Sequence, residues 1–159
     1  MCAIRSHRKE GGVYVLFIGS DHGGYALKEE IKRFLEDRGV AFEDMGTYSS
    51  ESCDYPDIAR AVAERVNKDE DNRGILICGT GIGMSIAANK VRGIRCALCH
   101  DAYGAEYARR HNNANIIAFG GRTTGVEIAK QMVEIFLSTP FDGGRHARRV
   151  GKIEAMEGV

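Results

Sequence analysis

Residues 74–90 read GILICGTGIGMSIAANK. The first five, GILIC, are an unbroken apolar run of the length and kind expected of a strand buried on both faces. Gly79, Gly81 and Gly83 then alternate with Thr80 and Ile82, and the spacing predicts a helix from about Met84 to Val91. Strand, glycine turn and helix make one βα unit, and the same order recurs on either side. Upstream, VYVLFI (13–18) is a strand. Leu27, Ile31, Phe34 and Leu35 follow at helical spacing until Gly39, a C-cap signal. Residues 40–45 read as a second strand. A helix striped by Ile58, Ala59, Val62, Ala63 and Val66 starts near Pro56 and Asp57. Downstream come a strand at 94–99, a helix at 101–111, a strand at 115–119 and a helix striped by Val126, Ala129, Val133, Phe136 and Leu137. Residues 145–159 form a basic tail with room for a short helix. Five such units predict an α/β fold with a five-stranded parallel sheet and helices on both faces. Ligands of such sheets bind beyond the C-terminal strand ends.

The chain has 159 residues, the length of a single domain. Residues 13–159 are read as that domain, and residues 1–12 as a mobile extension or a cloning remnant. Lys and Arg total 22, as do Asp and Glu, so the formal net charge is zero; this argues against a coat for nucleic acid or an acidic membrane. No apolar run approaches the roughly 18 residues of a membrane span. The five cysteines are odd in number, and Cys96 and Cys99 have no second pair to complete a zinc site, so no metal is expected. A reduced, cytoplasmic protein is the simplest expectation. Charge is uneven. Residues 36–71 hold 11 acids and 4 bases, whereas residues 90–122 hold 6 bases and 2 acids.

At the strand ends, Gly19–Gly24 (GSDHGG) offers Asp21 to a polyol and His22 to an anion; read alone, Asp21 equally suits a helix cap. In the 79–83 turn, successive amides precede a helix and suit an anion or a developing oxyanion. The same positive end favours a thiolate at Cys78, which read alone is equally an inert buried thiol. The turn fails GxGxxG at Met84, and GxxxxGK[ST] is absent, so neither common nucleotide motif is present. His111, beside Asn112, titrates near neutrality and is a candidate acid or base. Arg145 and Arg149 would share a helix face suited to a phosphate, a solvated basic tail being the alternative.

GSDHGG (19–24), DYPD (54–57), GILICGTGIGMSIAANK (74–90), RHNNANIIAFGGR (110–122) and FDGGRHARR (141–149) together resemble the type B ribose-5-phosphate isomerases, a family that includes galactose-6-phosphate isomerase subunits. The resemblance spans about residues 13–155. It implies a Rossmann-like three-layer sandwich and a homodimer, open to association as a dimer of dimers, with sites at the subunit interface. It also implies cofactor-free aldose–ketose isomerisation of a sugar phosphate. On the matching positions, Cys78 is the general base, Thr80 assists it and His111 helps open the furanose ring. Gly79, Gly81, Ile82 and Gly83 supply the anion hole. Asp21 binds a sugar hydroxyl, His22, Arg145 and Arg149 bind the phosphate, Arg122 and Asn112 are further substrate-binding positions, and Tyr48 lines the pocket. His111, Asn112 and Arg122 are implied to reach in from the partner. One branch of the family places a Glu base where Met84 stands here, so this chain resembles the Cys-type branch. Cys78, Thr80 and His111 in one chain favour the ribose enzyme over the two-subunit galactose enzyme. Allose 6-phosphate and a non-catalytic sugar-phosphate binding module are the competing expectations.

Overall fold

The computed structural model describes residues 7–9 and 12–158. Most of residues 1–12, read above as an extension, lies outside them. His7–Lys9 (β1) pairs antiparallel with Gly12–Tyr14 (β2) in a two-stranded ribbon. The expected first strand is therefore divided: its first residues belong to the ribbon, and Leu16–Ser20 (β3) enters the main sheet.

The main sheet is parallel throughout and contains β3, Glu43–Asp44 (β4), Arg73–Cys78 (β5), Cys96–Leu98 (β6) and Ile116–Gly120 (β7), in spatial order β4-β3-β5-β7-β6. The strands expected at 40–45 and 94–99 shorten to two and three residues. Both are edge strands, with a neighbour on one side only. The helices are Tyr25–Asp37 (α1), Tyr55–Val66 (α2), Ile82–Ala88 (α3), Ala102–Arg110 (α4), Val126–Ser138 (α5) and Arg145–Glu154 (α6). A 3₁₀ turn at Ala155–Gly158 follows α6, so the basic tail is helical.

Period-two alternation builds two cores. Leu16, Ile18, Ile75, Ile77, Ile117 and Phe119 pack on α1, α4 and α5. Phe17, Leu76, Cys78, Ile116 and Ala118 face α2 and α3 on the opposite side. All three layers of the expected sandwich are present. Asp101 caps α4 by accepting from the Gly104 N–H at 2.7 Å. Gly39, at φ +66°, ends α1 as anticipated, and its N–H donates to the Glu36 carbonyl.

Strand order fixes where a ligand can lie. From β3 the chain crosses to β4 at one edge, then returns to β5 on β3's other side. This reversal opens a crevice between the loops after β3 and β5. Gly23 and Gly79 line it at close range, since a Cβ on Gly23 would stand 3.1 Å from the Gly79 nitrogen.

Candidate active site

The β3 end carries Ser20, Asp21 and His22. Asp21 is 6% exposed, and its Oδ1 accepts from the Gly24 N–H at 3.0 Å. Asp21 thus closes the turn ahead of α1, whose N-cap is Gly24 with no side-chain cap bond, and one carboxylate oxygen is engaged. The Nδ1 of His22 accepts from the Cys53 N–H at 3.3 Å. A neutral imidazole accepting at Nδ1 carries its proton on Nε2, so this ring presents a donor.

Cys78, the last residue of β5, is 5% exposed, and its Sγ accepts from the Gly81 N–H at 3.1 Å. Gly81 adopts φ +79°, and a Cβ there would strike the Phe119 backbone, so the turn requires glycine. Thr80 is exposed beside the thiol, and its Oγ1 accepts from the Ile82 N–H at 3.3 Å. Two of the expected anion-hole amides, those of Gly81 and Ile82, therefore already face Cys78 and Thr80. Those of Gly79 and Gly83 remain as candidates. α3 begins at Ile82, two residues before the expected Met84, because Gly81 caps it.

Arg122, in the turn after β7, packs against this loop in its own chain. Its N–H donates to the Gly79 carbonyl at 3.0 Å, and its guanidinium lies 3.3 Å from where a Gly79 Cβ would be. The expectation that Arg122 reaches in from a partner is corrected accordingly: the chain turns sharply after β7 and lays residue 122 beside β5. Tyr48 lies near the β3 end, 72% exposed, with its hydroxyl donating to the Asp44 carbonyl at 3.0 Å.

The remaining candidates form a second group. His111 follows the last residue of α4, and α4 runs back from the C-terminal strand ends for roughly 13 Å. Asn115, just beyond, accepts at its carbonyl from Gly74 N–H at the start of β5, four residues and roughly 13 Å before Cys78. His111 and Asn112 therefore lie at the opposite end of the sheet from Cys78. The His111 ring stacks on His146 with centroids 3.9 Å apart and planes 9° apart, and meets Tyr107 edge-on at 4.6 Å. α6 begins here, so exposed Arg145 and Arg149 join His111 and not Cys78. Partial burial, then the charges of His111, Arg145 and Arg149, lower the pKa of His146 below the ordinary histidine value.

His111, Asp142 and His146 place potential ligand atoms within 4.8 Å of one another, a spacing that would allow a divalent cation. Their surroundings favour an anion instead. Arg110 Nε contacts both Asp142 oxygens at 3.2 Å, and Arg145 and Arg149 add further positive charge.

Two residues near the crevice escaped the sequence reading. Tyr55 packs its ring over Gly83, where a Cβ would come within 2.7 Å of it. Lys28 is wholly buried behind the Tyr48 loop. Its position was a usable signal, since residue 28 precedes Ile31 by three and Leu35 by seven, on the apolar stripe of α1.

The described cysteines are all free and differ in character. Burial, with Asp101 adding to it, holds the Cys99 thiol up at about 12. Burial pushes Cys96 higher still, with Cys99 and Cys78 contributing. Both remain protonated at about pH 9, where a thiolate is required for alkylation. Peptide mass spectrometry after iodoacetamide treatment of the folded protein at that pH is expected to find Cys53 modified and Cys96 and Cys99 intact. Equal labelling of all three would contradict these assignments.

The architecture is that of a doubly wound α/β protein with a ligand crevice at its strand ends. The sequence profile described as Ribose/Galactose Isomerase matches residues 16–153. Ribose-5-phosphate isomerase B of Escherichia coli is 50% identical over 139 residues, covering 87% of this chain and 93% of its own length. D-erythrulose-4-phosphate isomerase of Pectobacterium atrosepticum is 44% identical over 141 residues, covering 88% and 93%. The solved structure of Clostridium thermocellum ribose-5-phosphate isomerase B superposes with a TM-score of 0.88 at 54% identity, covering 91% of this chain and 97% of that one. The chain belongs to the ribose/galactose isomerase family.

Proposed function

We propose that this protein is an aldose–ketose isomerase that interconverts D-ribose 5-phosphate and D-ribulose 5-phosphate through an enediolate. The observation that carries the proposal is the Cys78 thiol at the β5 end, held by the Gly81 N–H and bordered by Thr80 in the crevice. The Gly81 amide aimed at the sulfur fixes it at the strand end, facing the glycine turn. The Cys78 thiolate takes the C2 proton of the open-chain aldose and returns it to C1. The Thr80 hydroxyl assists as the oxygen-bound proton passes between O1 and O2. The Gly79 and Gly83 amides, with Arg122 beside them, offset charge developing on oxygen; such donors are typically worth about 3–4 kcal/mol each. Asp21 holds sugar hydroxyls through its free oxygen, and His22 contributes its Nε2 donor to the phosphate end. Protein groups alone carry these steps.

The sugar is a closed furanose for most of its time in solution and must be opened first. His111, with Asn112, is assigned to that step, and Arg145 and Arg149 to the phosphate. All four lie at the wrong end of the sheet to serve Cys78 of their own chain. The working unit in this reading is a homodimer, with His111, Asn112, Arg145 and Arg149 of one copy completing the crevice of the other. Dimers of dimers are compatible with this arrangement. No described helix is long and apolar enough to cross a membrane. The free thiols suit a reducing compartment such as the cytoplasm.

Steady-state assays on purified protein test the substrate assignment. Ribose 5-phosphate is expected to be converted with a higher kcat/KM than allose 6-phosphate or galactose 6-phosphate. Preference for a six-carbon substrate would move the assignment within the family, and inactivity on every aldose phosphate would overturn it in favour of a binding module.

A further inference from the structure

Lys28 is fully buried in α1, an unusual position for a lysine. Its Nζ donates to Asp44 Oδ1 at 2.6 Å and to the Thr47 carbonyl at 2.7 Å. The same Asp44 oxygen accepts from the Gly46 N–H at 2.9 Å, and Oδ2 pairs with Lys32 Nζ at 2.8 Å. Glu29 stands 3.9 Å from the buried ammonium. The loop gathered on this cation is stitched to the end of β3. Ser20 N–H donates to the Gly46 carbonyl, and Thr47 N–H donates to the Ser20 carbonyl, both at 2.7 Å. Tyr48 follows, with its ring 5.3 Å from the ammonium.

A buried cation is a poor stabilising device. Removing it from water costs several kcal/mol, and apolar replacement of a buried ion pair is often neutral or better. What Lys28 does provide is direction. The ammonium draws the Thr47 carbonyl and the Asp44 carboxylate inward, and the next residue, exposed Tyr48, lays its ring back over this loop with its hydroxyl on the Asp44 carbonyl. An apolar side chain could fill the same volume without orienting either oxygen.

We propose that Lys28 is a positioning residue for substrate length: through Asp44 and Thr47 it sets where Tyr48 stands at the Asp21 end of the crevice, and so how long a sugar phosphate the crevice accepts. This rests on the isomerase reading of that crevice. The experiment combines Lys28→Met with Asp44→Asn, so that no unpaired carboxylate remains. Lys28→Met alone is expected to lower Tm, and the double variant to recover most of that loss. Loop anchoring is read without activity, by amide hydrogen exchange at Thr47. Exchange there is expected to quicken about tenfold or more in the double variant as its loop opens locally. KM for ribose 5-phosphate is expected to rise about tenfold while kcat changes less than about threefold. The kcat/KM ratio of allose 6-phosphate to ribose 5-phosphate is expected to rise. Recovered stability with wild-type exchange and a wild-type substrate ratio would make Lys28 a structural residue only and overturn the proposal. Tyr48→Phe removes just the exposed hydroxyl linking Tyr48 to Asp44, and so tests the same arm should the double variant fail to fold. It is expected to shift the substrate ratio in the same direction, and an unshifted ratio overturns the proposal. A wild-type protein inactive on all sugar phosphates would defeat the isomerase reading, while the Thr47 exchange rate would still report the anchor.

Discussion

Replacing Cys78 with alanine is expected to slow ribose 5-phosphate isomerisation by about 10²–10⁴-fold, the range of a positioned general base. The fall should appear in kcat, with KM nearly unchanged. Cys78 lies at the floor of the crevice, while the groups assigned to grip the phosphate lie elsewhere, so binding survives loss of the sulfur. Alanine removes a single heavy atom from a side chain in the α2/α3 core, and an unchanged far-UV spectrum with a similar Tm would show the fold intact. Cys78→Ser is the sharper control. It preserves the shape and the bond from the Gly81 N–H, but a hydroxyl hardly ionises near neutral pH, so it is expected to be as inactive as alanine. A Cys78→Ala enzyme running at the wild-type rate would remove Cys78 from the mechanism. It would leave Thr80 or His111 as the base to test next.

Mixing two crippled proteins is expected to regenerate activity. Cys78→Ala lacks the base, and His111→Ala lacks the ring-opening group. If each crevice takes Cys78 from one copy and His111 from the other, a mixed dimer has one intact site and one doubly defective site. Random exchange of equal amounts makes half the dimers mixed, so about one quarter of wild-type activity should return in a twofold-symmetric assembly. Differently tagged subunits establish that exchange has occurred. Proven exchange with no recovery would place both residues in the same chain's site, against the roughly 13 Å of helix α4 that separates their ends of the sheet. A fully active monomer would have the same consequence.

Much of this molecule was legible as pattern. Buried parallel strands are short apolar runs, and α1 and α2 announce themselves by helical spacing, because burial imposes the same periodicity on sequence and structure. The glycine turn at 79–83 was equally plain, since backbone that must pass close to other backbone admits no side chain. Strand ends were less legible. Glu43–Asp44 and Cys96–Leu98 pair for only two and three residues, because an edge strand has one neighbour and its hydrogen bonds lapse where that neighbour turns away. Hydropathy does not record this.

The candidate site was legible as a set of residues and not as an arrangement. Asp21, Cys78 and Thr80 lie at or just past the C-terminal ends of strands, so the βα rule alone places them at one edge. Arg122 also follows a strand, yet its position against its own chain's loop depends on a backbone bond to Gly79 across the sheet. Lys28 went unread because a charge in sequence shows no partner; Asp44 and Thr47, sixteen and nineteen residues away, supply one.

By itself, the sequence determined the layered parallel fold and placed Asp21, Cys78 and Thr80 at the C-terminal strand ends, because these depend on local periodicity and chain direction. Only the tertiary structure decided that the candidate residues fall into two groups at opposite ends of the sheet. Helix α4 runs antiparallel to the strands, so residues joined by a motif in sequence end far apart in space, and a second copy of the chain becomes the natural way to bring them together.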